Sequence, residues 1–564
     1  MITCGIKLTH DGAVALFEKN KLIFSVEMEK INNNARFSNI SDLESVEEVL
    51  KSFNYNIRDV DKFIIDGWGK NEQDALNFNQ KLIIKDGFNY LKIFQQNDEF
   101  LLPVNGYFED NLKADTLAPL SFNGLKIGCH NLSYDSYLHT AGHIMGSYMA
   151  SPFAVNHESS FILVWDGGMF PHLYFLDSDT GRLTNLGVLF NLLGSIYAQF
   201  AQYFKPFKTE KGTKRDPALA GIIMAYIAFG KFQEKLFPLF ESALQKCAQT
   251  PVGLSNAFAS HFKSLAGELF ESPDILYNFH IFLKNNLLKN LESIVLKSKI
   301  KNRNLCFSGG CALNIKWNSD IRLSGIFDKV FVPPFPNDSG SALGSACCAI
   351  FNDQGYNHID WNVYSGPEII INDPYPGWTK KDCSIVELAK LLYSSEEPVI
   401  FLNSRAEIGP RALGNRSIIA SPTSTSIKDI LNEVKIREDY RPISPICKED
   451  KAPEIFEPGT KDPYMLFDHF VKDRWIEKIP AVIHIDKTAR LQTVSVFDNE
   501  LIYSLLDEFE KLSSIPVLCN TSANLKGSGF FPDVYSATKW NKVNYVWCNN
   551  MLYEKSEKIR YNLG

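Results

Sequence analysis

The sequence predicts a mixed α/β protein in two parts. Three observations carry this expectation. The chain starts with hairpin-like strands that run into an amphipathic helix. Its middle holds strand-like runs ending in glycine pairs, together with long helical stretches. A Pro-, Gly- and charge-rich segment, Ile371 to Lys381, is followed by a fresh alternation of strands and helices. A length of 564 residues suits two to four domains of about 100–200 residues. The boundary is placed so that residues 1–375 form the first part and 376–564 the second.

Taken in order, Ile2 to Leu8 reads as a strand and Thr9-His10-Asp11-Gly12 as a turn. Ala13 to Phe17 returns, and Lys19-Asn20 turns the chain into a third apolar run, Leu22 to Val26. From Ser41 to Phe53, apolar residues at 43, 46, 49, 50 and 53 mark one helical face. Strand Lys62 to Asp66 follows. Residues 70–130 hold many aromatics with weak periodicity and read as an insertion or lid. A helix is expected over Ser136 to Met149, strands over Phe161 to Trp165 and Leu173 to Leu176, and mostly helix across 190–300. Strands Asn304 to Ser308 and Lys329 to Val332 precede a helix that begins near Ser341. Ser384-Ile385-Val386-Glu387 is a capping box, in which serine and glutamate each satisfy an orphan N–H of the first turn. Strand Pro398 to Leu402 comes next.

Charge and cysteine content narrow the function classes. A net charge of −7 argues against a surface coated in basic charge for non-specific nucleic-acid binding, while leaving room for one local basic groove. The eleven cysteines are irregularly spaced and include no CxxC, which fits a reducing cytoplasm and excludes a paired-cysteine zinc site. The opening MITCGIKLTHDGAVALF lacks the basic region and cleavage site of a signal peptide, and no run approaches the ~18 uncharged apolar residues of a spanning helix. A cytoplasmic location without membrane integration is expected.

His139-Thr140-Ala141-Gly142-His143 lies in a helical pattern. Spacing i, i+4 puts both imidazoles on one face, where they can share a cation; the same spacing also fits two histidines with no shared role. Asp166-Gly167-Gly168 and Ser308-Gly309-Gly310 end strands. Their glycines let backbone N–H groups approach phosphate, and they serve equally as turns. Asp338 precedes an alanine-rich helix, as a cap or a ligand. His10 beside Asp11 has the residue type of a general base, since histidine titrates near neutrality. In the second part, Arg405, Arg411 and Arg416, then Lys435, Arg437 and Arg441, then Arg490, stand among glycine, proline and apolar residues rather than in a charge run. Such forks suit phosphates and carboxylates. The cluster Lys205, Lys208, Lys211, Lys214 and Arg215 reads either as a solvated loop or as a groove for a nucleotide or nucleic acid.

HTAGH (139–143), WDGG (165–168), FSGGCALN (307–314), PPFPNDSG (333–340), EIGPRALGNRSI (407–418), VKIREDYRP (434–442), PAVIHIDKTARLQTV (480–494) and NTSAN (520–524), in this order, resemble the O-carbamoyltransferase family of antibiotic tailoring and nodulation-factor modification. The resemblance implies an N-terminal domain of the actin-like/sugar-kinase class, two RNase H-like halves that hold a metal, and a C-terminal YrdC-like α/β domain. It implies an ATP-dependent O-carbamoyltransferase: carbamoyl phosphate and ATP give carbamoyl adenylate in the C-terminal domain, and the carbamoyl group passes to an acceptor hydroxyl in the N-terminal one. By that resemblance Lys435, Arg437, Ser522 and Asn524 match the KxR and SxN pairs of YrdC-like domains. Arg405, Arg411, Arg416, Arg441, Arg490 and Asn520 would hold carbamoyl phosphate and ATP. On this basis Arg416→Ala is expected to raise KM for one of them. His139, His143, Asp166 and Asp338 match the metal set, suited to Fe(II) or Zn(II), with Mg accompanying ATP left open. Asp11, Gly167, Gly168, Ser308, Gly309, Gly310 and Asn314 would contact nucleotide, and His10 would deprotonate the acceptor. Thr140 stands where the family has a second histidine, and Gly221-Ile222-Ile223-Met224 lacks the family's lysine. Sugar-bearing natural products are the default acceptor; a hydroxymethylated pyrimidine, free or in DNA, and a tRNA base nitrogen, as in threonylcarbamoylation, are the alternative acceptors, and a catalytically dead binding protein is the rival from another class. A homodimer is the remaining expected partnership.

Overall fold

The computed structural model describes residues 1–69, 82–85, 88–109, 112, 114–209, 218–247, 254–266, 269–395 and 397–561. They form two compact units, Met1–Ile23 with Asn39–Trp361, and Phe24–Ser38 with Asn362–Gly564. The changeover at Trp361 lies ahead of the expected 375/376, and a short segment near the N-terminus belongs to the second unit.

The first unit contains two sheets built on one plan. The first sheet runs Lys21–Glu27, of which only Lys21–Ile23 belong to this unit, Ala13–Glu18, Ile2–Lys7, Lys62–Asp66, His130–Tyr137, Leu120–Ile127. Ile2–Lys7 pairs antiparallel with Ala13–Glu18 and parallel with Lys62–Asp66, which is parallel to His130–Tyr137. The second sheet runs Leu183–Val188, His172–Leu176, Ser160–Val164, Asn304–Ser308, Lys329–Phe331. Ser160–Val164 is likewise antiparallel to the strand after it and parallel to Asn304–Ser308. An antiparallel meander joined to parallel strands, repeated, is the plan of two RNase H-like halves, the actin-like class expected from the sequence. The functional ends of such sheets are the carboxyl ends of the parallel strands.

Two helices set the site's spacing. His139–Met149 is buried along its whole length, and it crosses Ser341–Gln354 at backbone distance: a Cβ on Gly344 would stand 2.0 Å from the Gly142 carbonyl oxygen. No side chain fits at Gly344, and a Cβ on Gly146 would stand 3.0 Å from the Gly344 Cα, so these two glycines are what let the helices touch. The helix starts at His139 rather than Ser136, because Ser136 and Tyr137 finish a strand paired with Ile65 and Asp66.

The expected insertion is partly framework. Leu120–Ile127 is an edge strand of the first sheet, and Leu82–Lys85, Phe88–Gln95 and Asp98–Val104 form a three-stranded antiparallel sheet. Buried Leu91 and Ile93, then Leu102 and Val104, alternate along their strands, a period-two signal that the aromatics obscured.

The second unit is organised on an eight-stranded mixed sheet: Trp378–Asp382, Met551–Lys555, Tyr545–Cys548, Val399–Leu402, Arg416–Ala420, Val517–Ser522, Ser444–Lys448, Gln492–Val494. Its central strands Val399–Leu402 and Arg416–Ala420 are buried at every position. The expected capping box forms ahead of Ile385–Ser395: Ser384 N–H donates to Glu387 Oε2 at 2.7 Å, and Glu387 N–H to Ser384 Oγ at 3.3 Å. Among the described residues, no helix is long and apolar enough to cross a membrane.

Candidate functional site

Strand and helix ends bring one constellation together in the first unit. His139 and His143 stand one turn apart on their helix, Asp166 follows strand Ser160–Val164, and Asp338 sits in the turn before Ser341–Gln354. One donor atom from each lies within 4.8 Å of the other three, and all four residues are buried. His139 Nε2 and His143 Nε2 face each other at 3.1 Å, with Asp338 Oδ1 at 3.3 and 3.5 Å from them. Two imidazole nitrogens ~2.1 Å from a shared divalent ion and ~90–110° apart lie ~3.0–3.4 Å from one another. The N/O donor set therefore fits the first-row cation expected from the sequence.

Two neighbours fix which nitrogen faces inward: Asp66, which the sequence did not flag, and Ser308, expected there as a nucleotide contact. Asp66, at the end of its strand, accepts from His139 Nδ1 at 2.8 Å. Ser308 Oγ donates to the Pro336 carbonyl at 3.2 Å, so its lone pair accepts from His143 Nδ1 at 3.2 Å. Both Nε2 atoms are thereby left as electron-pair donors. Lys7, 1 % exposed in its side chain, bridges Asp66 at 2.9 Å and Asp338 at 3.2 Å. Burial alone would depress the Lys7 ammonium, but the Asp338 and Asp66 carboxylates outweigh it and the net shift is upward. Burial works against Asp338 too, yet Lys7, His139 and His10 hold its carboxyl well below the usual range. Burial and Lys7 oppose a proton on His139, while Asp66 and Asp338 favour it and win, pushing it to about 9. A cation entering here displaces that proton. Asp66→Asn is expected to lower divalent-metal affinity by about 10–100-fold, the usual cost of losing such an orienting partner. Equilibrium dialysis with metal analysis checks it, and unchanged affinity removes Asp66 from the centre.

Tyr107, from the stretch read as an insertion, donates its hydroxyl to Asp166 Oδ2 and packs its ring 4.4 Å from that of His139. Gly310 N–H donates to Asp166 Oδ1 at 2.6 Å. His10 Nδ1 lies 3.2 Å from Asp11 Oδ2, and His10 Nε2 lies 3.4 Å from Asp338 Oδ2, so the candidate base borders the cation site. Asp11 holds a left-handed φ of 53°, a conformation uncommon outside glycine. Several expected nucleotide contacts are instead engaged within the fold. Ser308 supports His143, and Gly309 N–H donates to the Pro336 carbonyl at 2.7 Å. Asn314 caps the helix Ile315–Leu323 through Trp317 N–H, and Gly168 lies beneath the Tyr107 ring.

The second unit joins the KxR and SxN pairs. Lys435, the C-cap of Thr425–Val434, donates Nζ–H bonds to the Ser522 carbonyl at 2.7 Å and the Asn524 carbonyl at 2.8 Å. Ser522 Oγ donates to Asn524 Oδ1 at 2.7 Å, and Arg437 reaches Thr521 Oγ1 at 3.3 Å. Between the two cations, Ile436 has a φ of 50°, strain of order 1–3 kcal/mol for a β-branched residue, of the kind that gathers at functional sites. Arg490 donates to Ser444 Oγ at 2.9 Å, and Arg441 pairs with Glu438 at 3.5 Å. Burial, then the guanidinium groups of Arg490, Arg36 and Arg441, push Arg411 well below the usual arginine range. Burial, then Arg441 and Arg490, does the same to Arg437. Cations that repel one another in a partly dry setting are an anion site in the making.

Two expected anion ligands point elsewhere. Arg416, 1 % exposed, gives its N–H bonds to the carbonyls of Asn403, Asn415, Pro367 and Ser404. Arg405 gives its own to Gly366 and Ser365. Both thereby tie the segment around residues 403–405 to its neighbours, and the Glu407–Arg416 loop folds around Glu407 Oε1, which accepts from the N–H groups of Leu413, Asn415 and Arg416. The Asn520 amide nitrogen donates to the Ala412 carbonyl and Gln492 Oε1, while its buried Oδ1 has no partner among the described residues. Arg416→Ala is therefore expected to lower the unfolding free energy by about 3 kcal/mol, through stranded buried carbonyls, rather than to raise a KM. Calorimetry on the variant separates the two.

A family model described as Carbamoyltransferase N-terminus matches residues 2–347, and one described as Carbamoyltransferase C-terminus matches residues 389–555. Nodulation protein U of Sinorhizobium fredii (strain NBRC 101917 / NGR234) is 42% identical to this chain, over 98% of it and 99% of the relative. The 3'-hydroxymethylcephem-O-carbamoyltransferase of Amycolatopsis lactamdurans is 31% identical, over 94% of each. That of Streptomyces clavuligerus is 29% identical, over 98% and 99%.

Proposed function

The chain belongs to the carbamoyltransferase family, and from that premise we propose that it is an ATP-dependent O-carbamoyltransferase with one reaction in each unit. In the second unit, carbamoyl phosphate gives up its phosphate to water. The carbamate oxygen then attacks the α-phosphorus of ATP, and pyrophosphate leaves. Lys435, Arg437, Arg411, Arg441 and Arg490 hold these mutually repelling anions together, which is most of what the step requires. In the first unit, an acceptor hydroxyl attacks the carbamoyl carbon, the bond to the adenylate oxygen breaks and AMP departs. His10, whose Nδ1–H is turned to Asp11, takes the hydroxyl proton at Nε2. His139, His143, Asp166 and Asp338 would hold a cation there; when bound it supplies Lewis-acid polarisation of the carbamoyl carbonyl.

The observation that carries this reading is the convergence of the four buried donors around two Nε2 atoms 3.1 Å apart. Incubation with ATP, carbamoyl phosphate and a panel of hydroxylated metabolites, nucleosides and modified DNA tests it. A mass gain of one carbamoyl group on an acceptor, with pyrophosphate release, is expected. Absence of carbamoyl-phosphate-dependent pyrophosphate release would end the proposal. Of the basic cluster that motivated a nucleic-acid acceptor, Lys211, Lys214 and Arg215 lie outside the described residues, and nothing on Lys205 or Lys208 favours it.

A further inference from the structure

We propose that Arg36 is a phosphate-binding residue of the adenylate-forming site, delivered to it by the segment Phe24–Ser38; the inference rests on the reading just given for the second unit. The segment is tied to two loops that carry site residues. Lys30, buried to 1 % exposure, donates Nζ–H bonds to the carbonyls of Glu407 and Gly409 and pairs with Glu27 at 2.5 Å. Glu27 Oε1 in turn accepts from Gly409 N–H at 2.7 Å. This clamps the loop that bears Arg411. Farther along, Ala35 bridges Ser528, Arg36 N–H donates to the Gly527 carbonyl at 2.8 Å, and Gly529 N–H to Asn34 at 3.2 Å. That turn follows directly on Asn524, on whose carbonyl Lys435 is held.

Arg36 is therefore carried on a segment bonded to both the GPRALGN loop and the turn after the SxN pair, with its backbone fixed on that turn and its guanidinium 5.0 Å from the centre of the Phe37 ring. Its charge is felt there: Arg36 contributes to the downward shifts of Arg411, Lys435, Arg441 and Arg490, in each case after burial. Four cations that each register a fifth share one space. The acidic groups that offset them are few, Asp462 beside Arg411 and Arg490, and Glu438 beside Arg441. A polyphosphate relieves that repulsion, and a guanidinium fork is shaped to take two of its oxygens. The ligand class is the triphosphate of ATP, or the pyrophosphate it releases.

The test is calorimetric binding of ATP, inorganic pyrophosphate and adenosine to the full chain without turnover. Arg36→Ala should weaken ATP and pyrophosphate by about 10-fold, the worth of one charge-assisted contact, with adenosine unchanged and the deficit shrinking at high salt. Arg36→Lys, which keeps the charge and the stem, should fall between, at native melting temperature; it decides the matter should the alanine variant be poorly folded. Wild-type affinity for pyrophosphate in both variants overturns the role of Arg36 alone. A wild-type chain that binds neither ATP nor pyrophosphate overturns the reading of the second unit, and this inference with it.

Discussion

His139→Ala is expected to abolish carbamoyl transfer while leaving adenylate formation nearly intact. The imidazole supplies one of the two Nε2 atoms of the candidate cation site and is held by Asp66 and faced by Asp338. Its removal takes away the cation and, with it, several kcal/mol of transition-state stabilisation, which is about 10³-fold at 1.36 kcal/mol per tenfold. The arginine cluster lies in the other compact unit, so carbamoyl-phosphate-dependent ATP–pyrophosphate exchange should stay within about twofold, an amount worth under ~0.5 kcal/mol. Exchange and transfer measured side by side decide it. Normal transfer by the variant would show that the two-site division is wrong.

Lys435→Ala should give the reverse pattern. Burial, then Arg437 and Arg36, hold its ammonium well below the usual lysine range, so an incoming phosphate gains by stabilising the charged form. Loss of the ammonium removes that gain and also frees the Ser522 and Asn524 carbonyls it now holds. A drop of about 10²–10³-fold in pyrophosphate exchange is expected, the cost of one well-placed electrostatic donor. Metal content, measured by elemental analysis, should not change. Lys435→Ala that still exchanges at the wild-type rate would remove the KxR pair from the chemistry.

Motifs with internal spacing were legible before any coordinates. A helical i, i+4 pair must share a face, and His139 and His143 do. Lys435 and Ser522 come from distant positions, and the family resemblance, not periodicity, brought them together. Lys7 and Asp66 were invisible for a physical reason: one lysine and one aspartate in apolar strands have no local pattern, and only parallel pairing sets them side by side. Tyr107 lies in the stretch whose aromatics and weak periodicity read as an insertion or lid, with no local pattern to mark its contact with Asp166. Residue type cannot tell a guanidinium facing an anion from one facing backbone carbonyls, and Arg405 and Arg416 both donate to carbonyls. The strap Phe24–Ser38 has no compositional edge at all.

That strap bears on how the protein can be taken apart. A fragment beginning at Asn362 would lack the Lys30 hold on the Glu407–Gly409 loop, and Arg36 with it. Shuffling such proteins by exchanging everything after residue 361 would pair one protein's Glu407–Gly409 loop with another's clamp. Grafts that exchange the back half must therefore carry residues 24–38 along with it, as a separate piece of the same cassette.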